Sequence, residues 1–344
     1  MSSWRNQPSR PSRGRGRAAP RGSQSHLPPK RQMEHIASVS RSSGLEKDGD
    51  TLKDFKVQEE YRVFLQGKVD DVLNRHPRKV TESEQEAKQR VDAQENVLIL
   101  FRKLREGISS SRRTDVFALE VYETSLFLST AFESPRQTTS VIPHLLPTLY
   151  LASPPPHGNC RSAVLISLLH HLVTAYPSQS SFRQLFDTIP SSLFPKDAPA
   201  FNWIESVARS LRTQNYAIFE QLTRPAAITG LLGEADSLSN ALQSLSISSH
   251  HSASLCRRAL LGLIDALRRK SRMTTWGIMR AAYREFSCTS KGTRDWLDRS
   301  LCLQSVVPYE SDIEPERWLQ EQSALGHTAQ KERVVGKWII YKAR

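Results

Sequence analysis

Cysteine is scarce in this 344-residue chain: Cys160, Cys256, Cys288 and Cys302 stand far apart, with no C-x-x-C pair among them. That excludes a disulfide framework and fits a reducing compartment. Long apolar runs are missing too. No stretch approaches the roughly 20 residues needed to span a bilayer, and the N-terminus has Arg, Pro and Ser where a signal peptide needs an apolar segment. A soluble intracellular protein without membrane contact is expected. Catalytic signatures are equally thin. No serine occupies G-x-S-x-G, and the one glycine cluster outside the N-terminal region, "ITGLLGEAD", has neither the spacing nor the lysine of a phosphate loop. Glu59 and Glu60 are paired carboxylates, but they fall in an exposed helical stretch. The adjacent His170 and His171 point in different directions on a helix and read as a packed pair. No enzyme, metal, cofactor or small-molecule substrate is indicated.

Acidic residues are absent from the first 32 positions, which supply +8 of the formal net charge of +13. Segments such as "SRPSRGRGRAAPRG" offer almost no apolar periodicity to offset the entropy of ordering, so residues 1–50 read as a disordered basic tail. Its Arg13, Arg15, Arg17 and Arg21, interleaved with glycine, suit sequence-independent contact with a phosphate backbone. A solubilising tail or a nuclear address accounts for the same composition.

From Thr51 onward the apolar spacing is helical, as in Phe55, Val57, Tyr61, Phe64, Leu65, Val69, Val72 and Leu73. A break at Pro77 is followed by a second helix, with Thr81 and Glu84 as a capping box and Gly107 as its stop. Further helices are expected in "DVFALEVYETSLFLSTAFES", "SAVLISLLHHLVTAYP", "FRQLFDTIPSSLF" and a long "FNWIESVARSLRTQNYAIFEQL", with prolines at the joints. Successive helical hairpins without strand signals suggest a stacked, TPR-like helical-repeat solenoid over residues 51–250, although no strict sequence period is visible.

Residues 251–344 differ. "HHSASLCRRALLGLIDALRRKSRMTTWGIMRAAYREFS" predicts two helices, "TRDWLDRSLCL" a third, and "RVVGKWIIYKAR" alternates as a β-hairpin turning near Gly336 and Lys337. Three helices and a terminal hairpin are the parts of a small winged-helix subdomain. Between Arg257 and Arg299 eleven Lys and Arg stand against four acids, including Arg268, Arg269, Lys270, Arg272 and Arg280. With Lys337 and the interleaved Trp276, Tyr283, Trp296 and Trp338, they form a candidate nucleic-acid surface. The alternative is a solvated charged face over an aromatic core.

"VYETSLFLSTAFESPRQTTSVIPHLLPTLY" resembles a stretch of the Sac-three/GANP/Thp-three family, in which a Val-Tyr-Glu helix leads to Leu-x-x-Leu-Tyr. Val121, Tyr122, Glu123, Leu146, Leu149 and Tyr150 stand in those places, and Arg212, Asn215, Tyr216, Phe219 and Pro225 resemble a later family element. The chain departs at Ser125, Leu126 and Phe127, where the family has His-Ala-Arg, and at Thr138 to Val141. The resemblance implies a mainly α, PCI-like architecture of solenoid and winged helix. It also implies a non-enzymatic nuclear scaffold in messenger-RNA export, transcription elongation or messenger-RNA processing, working with protein partners in a multi-subunit complex and with RNA or DNA at low specificity. A structural subunit of a proteasome-lid or signalosome-like assembly is the alternative.

Overall fold

The computed structural model describes residues 33–39, 50–155, 157–228, 247–332 and 334–342, with the helical backbone alone described for 247–252. The chain divides into Met1–His35, of which only the single 3-10 turn Met33–His35 is described, and a body that runs from Ile36 onward without a break in packing. The body is mainly helical.

Helix α1, Phe55–Arg75, starts where the Asp54 carboxylate accepts hydrogen bonds from the backbone N–H of Lys56 and Val57 at 2.8 and 3.1 Å. Its buried stripe, Val57, Tyr61, Leu65, Val69 and Val72, follows the three-four spacing of the sequence and packs on α2, Glu84–Ser110. The capping box of α2 is Ser83 with Glu86, not Thr81 with Glu84; reciprocal bonds to the Ser83 backbone and side chain hold the Glu86 carboxyl down to about 2. Gly107 does not stop this helix but lies inside it. A Cβ there would sit 2.5 Å from the Leu52 carbonyl, so the bare backbone lets the Thr51–Lys53 turn rest directly on α2.

The centre of the body is α3, Val116–Ala131, in which consecutive residues from Val121 to Ala131 are buried on every side. Around it lie α2, α4 (Pro135–His144), α5 (Cys160–Ala175) and, further along the chain, α9 (Ile247–Ala282). Pro143 lies in the last turn of α4 rather than at a joint. Helix α6, Ser180–Thr188, leads to α7, Pro199–Arg212, and α8, Tyr216–Leu222. Here the single long helix expected from the sequence is broken in two. Gln214 adopts φ +54°, the Asn215 N–H returns to the Ser210 carbonyl at 2.8 Å, and the Asn215 side chain then caps α8 by accepting from Ile218 N–H at 3.2 Å.

The opposite correction applies to α9. Where two helices were expected, one continuous helix runs from Ile247 to Ala282. Its interior Ser271 and Thr275 hydroxyls donate back to the carbonyls of Arg268 and Ser271, so they consume no capping partner and leave the helix unbroken. The first part of α9 packs on α3 and α5, and its end supplies Trp276 and Met279 to a second core.

That core belongs to the C-terminal unit. Strand β1 (Glu285–Ser287), helices α10 (Lys291–Ser300) and α11 (Pro315–Ala324), and strands β2 (Thr328–Gln330) and β3 (Lys337–Ile340) follow in order. The sheet is antiparallel with order β1-β3-β2, pairing Phe286 with Trp338 and Thr328 with Ile340. The hairpin therefore uses β2 and β3, and Lys337 begins a strand instead of lying in the turn. Strand β1 has no counterpart among the sequence expectations. Gly336, at φ +76°, closes the turn, and its carbonyl accepts from Cys288 N–H at 2.8 Å.

Candidate functional site

Two of the four cations in the basic run on α9, Arg268 and Arg272, are turned inward, while Arg269 is half-buried and Lys270 exposed. Arg268 is 2% exposed; its Nη1 donates to the Thr223 hydroxyl at 2.9 Å and its Nη2 to the Gln304 carbonyl at 3.2 Å. Arg272 is buried as well, donating to the carbonyls of Leu301 at 2.9 Å and Cys302 at 2.6 Å and lying over the Trp318 ring. Those carbonyls end α10, where Cys302 takes φ +50°, so a cation caps a helix C-terminus. Arg269 pairs with Asp265 at 3.1 Å and Glu310 at 2.8 Å, and the Lys270 ammonium donates to the Val173 carbonyl of α5 at 2.6 Å. Four neighbouring side chains thus reach four separate parts of the body. Arg268 and Arg272 cannot meet a phosphate backbone, because both are buried with their guanidinium groups donating to Thr223 and to backbone carbonyls in the interior.

The remaining described candidates also have partners: Arg280 donates to the Tyr341 carbonyl at 3.0 Å, and Lys337 pairs with Glu285 at 3.2 Å. Trp276 and Trp338 are core residues, while Tyr283 and Trp296 stack edge to face on its margin. Arg13, Arg15, Arg17 and Arg21 lie outside the described residues. Helix α11 carries Glu316 and Glu321 against Arg317, and Glu314 precedes it.

The residues of the family-like motif do converge. On α3, Glu123 is 6% exposed and accepts from the Tyr150 hydroxyl at 2.6 Å and from Asn159 Nδ2 at 2.8 Å. Burial outweighs those bonds and pushes its carboxyl up to about 7. The Tyr122 hydroxyl reaches the Arg105 carbonyl at 3.4 Å, tying α3 to α2. Further on, Phe219 is fully buried, and the Tyr216 hydroxyl lies 3.3 Å from that of Tyr176, which donates to Thr274 of α9 at 2.8 Å. One small layer of α8 is thereby locked to the long helix. Ile218 on the same helix is exposed, as are Arg212 and Gln214. Ser125, Leu126 and Phe127, which replace the family's polar residues, are buried in α3.

Two anchors went unnoticed in the sequence. Asn159 precedes α5 in "HGNC", and its position as a helix entry residue was the available signal. Arg113 packs between Phe55 and Phe117, with its guanidinium 4.5 and 4.0 Å from their ring centroids, and pairs with Glu59 and Asp115 at 2.8 Å each. His170 is buried with Nε2 2.8 Å from the Thr139 hydroxyl, and burial lowers it to about 4. All four cysteines are buried and none is in a disulfide; burial pushes Cys160 up to about 12 and Cys288 and Cys302 up to about 11, which keeps those three thiols protonated. Among the described residues no group of three or more His, Cys, Asp and Glu could hold a metal ion, and no helix is long and apolar enough to cross a membrane.

No family model matches the chain, and no curated protein matches it.

Proposed function

We propose that this protein is a non-enzymatic nuclear scaffold of the Sac-three/GANP type, which binds protein partners through its helical body and nucleic acid through its basic N-terminal tail during messenger-RNA export, transcription elongation or messenger-RNA processing. One observation carries the reading. A single helix, α9, is packed into the helical layers at one end and into a helix-strand-helix-helix-hairpin unit at the other. That connectivity, with sheet order β1-β3-β2, supports reading the C-terminal unit as a winged helix, and a TPR-like stack continued into a winged helix is a PCI-like platform.

The charge distribution supports assigning nucleic acid to the tail. In a helix-turn-helix unit the second helix enters the groove. Here that helix is α11, where Glu316 and Glu321 oppose one arginine. Arg268 and Arg272 of the basic run on α9 are consumed by internal contacts, and the first 32 residues keep eight cations with no acid beside them. A second reading, a structural subunit of a proteasome-lid or signalosome-like assembly, is favoured by the same acidic α11, since such a surface meets proteins more readily than phosphates.

Purification of the tagged protein with and without nuclease separates the two. Partners of the gene-expression machinery, some released by nuclease, are expected. Recovery of proteasome-lid or signalosome subunits alone, unchanged by nuclease, would overturn the first reading in favour of the second.

A further inference from the structure

Arg105 is an interior cation that forms no close ion pair among the described residues. It sits on α2 and is 7% exposed, and its acidic neighbour Glu106 pairs with Arg102 instead. The one hydrogen bond its guanidinium makes among the described residues runs from Nη2 to Gln137 Oε1 at 3.3 Å, and its Nε is buried with no acceptor. The Tyr122 ring lies 5.9 Å from the guanidinium carbon. Burial lowers the pKa of this group and outweighs the opposing influence of Tyr122 and the neighbouring Glu106.

Beside it is a cavity of about 250 Å3, lined on the α2 side by Arg102, Arg105, Glu106, Ser109 and Ser110, and elsewhere by Tyr122 of α3, His144 of α4 and Val39. Arg102, Ser109, Ser110 and His144 are exposed, so the cavity opens to the surface. We propose that this cavity receives the carboxylate of an acidic side chain from a partner protein, with Arg105 as its counter-ion and Arg102 at the rim. The volume suits one side chain entering on its stem. The local charge selects a monoanion: Glu106 already meets Arg102 at 3.6 Å and is bonded to Ser38, so Arg105 is the cation left to be balanced. A phosphate dianion would face Glu106 and the C-terminal end of α2. A continuous nucleic-acid strand needs a track of cations, which the rim does not supply. The proposal does not depend on the scaffold reading.

The test uses the full chain and a fluorescein-labelled peptide of alternating Asp and Gly, followed by fluorescence anisotropy. Its counterparts carry Asn or phosphoserine in place of Asp, and an eight-nucleotide uridine strand serves as the nucleic-acid probe. The Asp peptide should bind in preference to the Asn peptide, and Arg105→Gln should weaken it about tenfold or more, as loss of a desolvated charge pair does. Arg102→Gln at the exposed rim should weaken it by a smaller factor, and Arg105→Lys, which keeps the charge without the planar fork, should lie between. Equal binding of the Asn peptide, or a folded Arg105→Gln protein with parental affinity, overturns the proposal. If Arg105→Gln does not fold, unchanged affinity in both Arg102→Gln and Arg105→Lys overturns it in the same way. Arg105 dependence seen only for the phosphoserine peptide or the uridine strand reassigns the cavity to phosphate and also overturns it.

Discussion

The Tyr150 hydroxyl donates a 2.6 Å hydrogen bond to Oε1 of Glu123, joining two residues 27 positions apart inside the central helical layer. Both are nearly sealed from solvent, and the Glu123 carboxyl, which also accepts from Asn159, is held up near pH 7 by burial.

A pH dependence of stability follows. Because the folded-state pKa of Glu123 lies above that of the unfolded chain, the native state holds this proton more tightly. The contribution is fully present below the unfolded value of about 4.5 and is lost as pH rises through about 7. It amounts to at most on the order of 3 kcal/mol. Glu123→Gln should flatten the urea-unfolding stability between those pH values, which parallel titrations of the two proteins would show.

Phe219→Ala should cost about 3–5 kcal/mol, since a fully buried ring leaves a cavity between α8 and its neighbours. Tyr216→Phe should cost only about 1 kcal/mol, because it removes one hydroxyl interaction with Tyr176 and keeps the packed ring. Chemical denaturation of both variants checks the contrast.

Reversing the basic run should unfold the protein. Arg272→Met alone should cost on the order of 2–4 kcal/mol, because the carbonyls of Leu301 and Cys302 forfeit charge-assisted donors in the interior. Arg268→Glu and Arg272→Glu should yield aggregated material. By contrast Lys337→Glu, at a partly exposed pair with Glu285, should remain folded and cost at most about 1 kcal/mol. Thermal melts of the soluble fractions provide the comparison.

What the sequence revealed is easiest to see in α1, where Val57, Tyr61, Leu65 and Val69 recur at one spacing and all turn inward. Local repetition is legible because its cause is local. The break at Gln214 was not, since the Asn215 cap works only once the chain has already turned, and Thr-Gln-Asn is compatible with a continuing helix. Nor was the fate of Arg268 and Arg272. A cluster of arginines on a helix reads as a solvated face, whereas their acceptors, Thr223, Leu301, Cys302 and Gln304, lie 29 to 45 positions away in sequence. The same holds for Ile36 and Ser38, which fall within the stretch expected to be unpacked and yet are buried, with the Ile36 carbonyl accepting from Lys103 at 3.1 Å. Their partners are remote, and a single isoleucine among mostly polar residues gives no period.

The division of labour between tail and body is tested most directly by RNA binding of the full chain and of residues 33–344 across a series of salt concentrations. Removing residues 1–32 should lower affinity for unrelated sequences by about tenfold or more and flatten the salt dependence, because each phosphate that the tail neutralises contributes a slope of roughly 0.7 to 0.9. The melting temperature should stay the same. Undiminished affinity and an unchanged slope in the shortened protein, abolished instead by Arg280→Glu with Lys337→Glu, would contradict the assignment and place the nucleic-acid surface on the C-terminal unit.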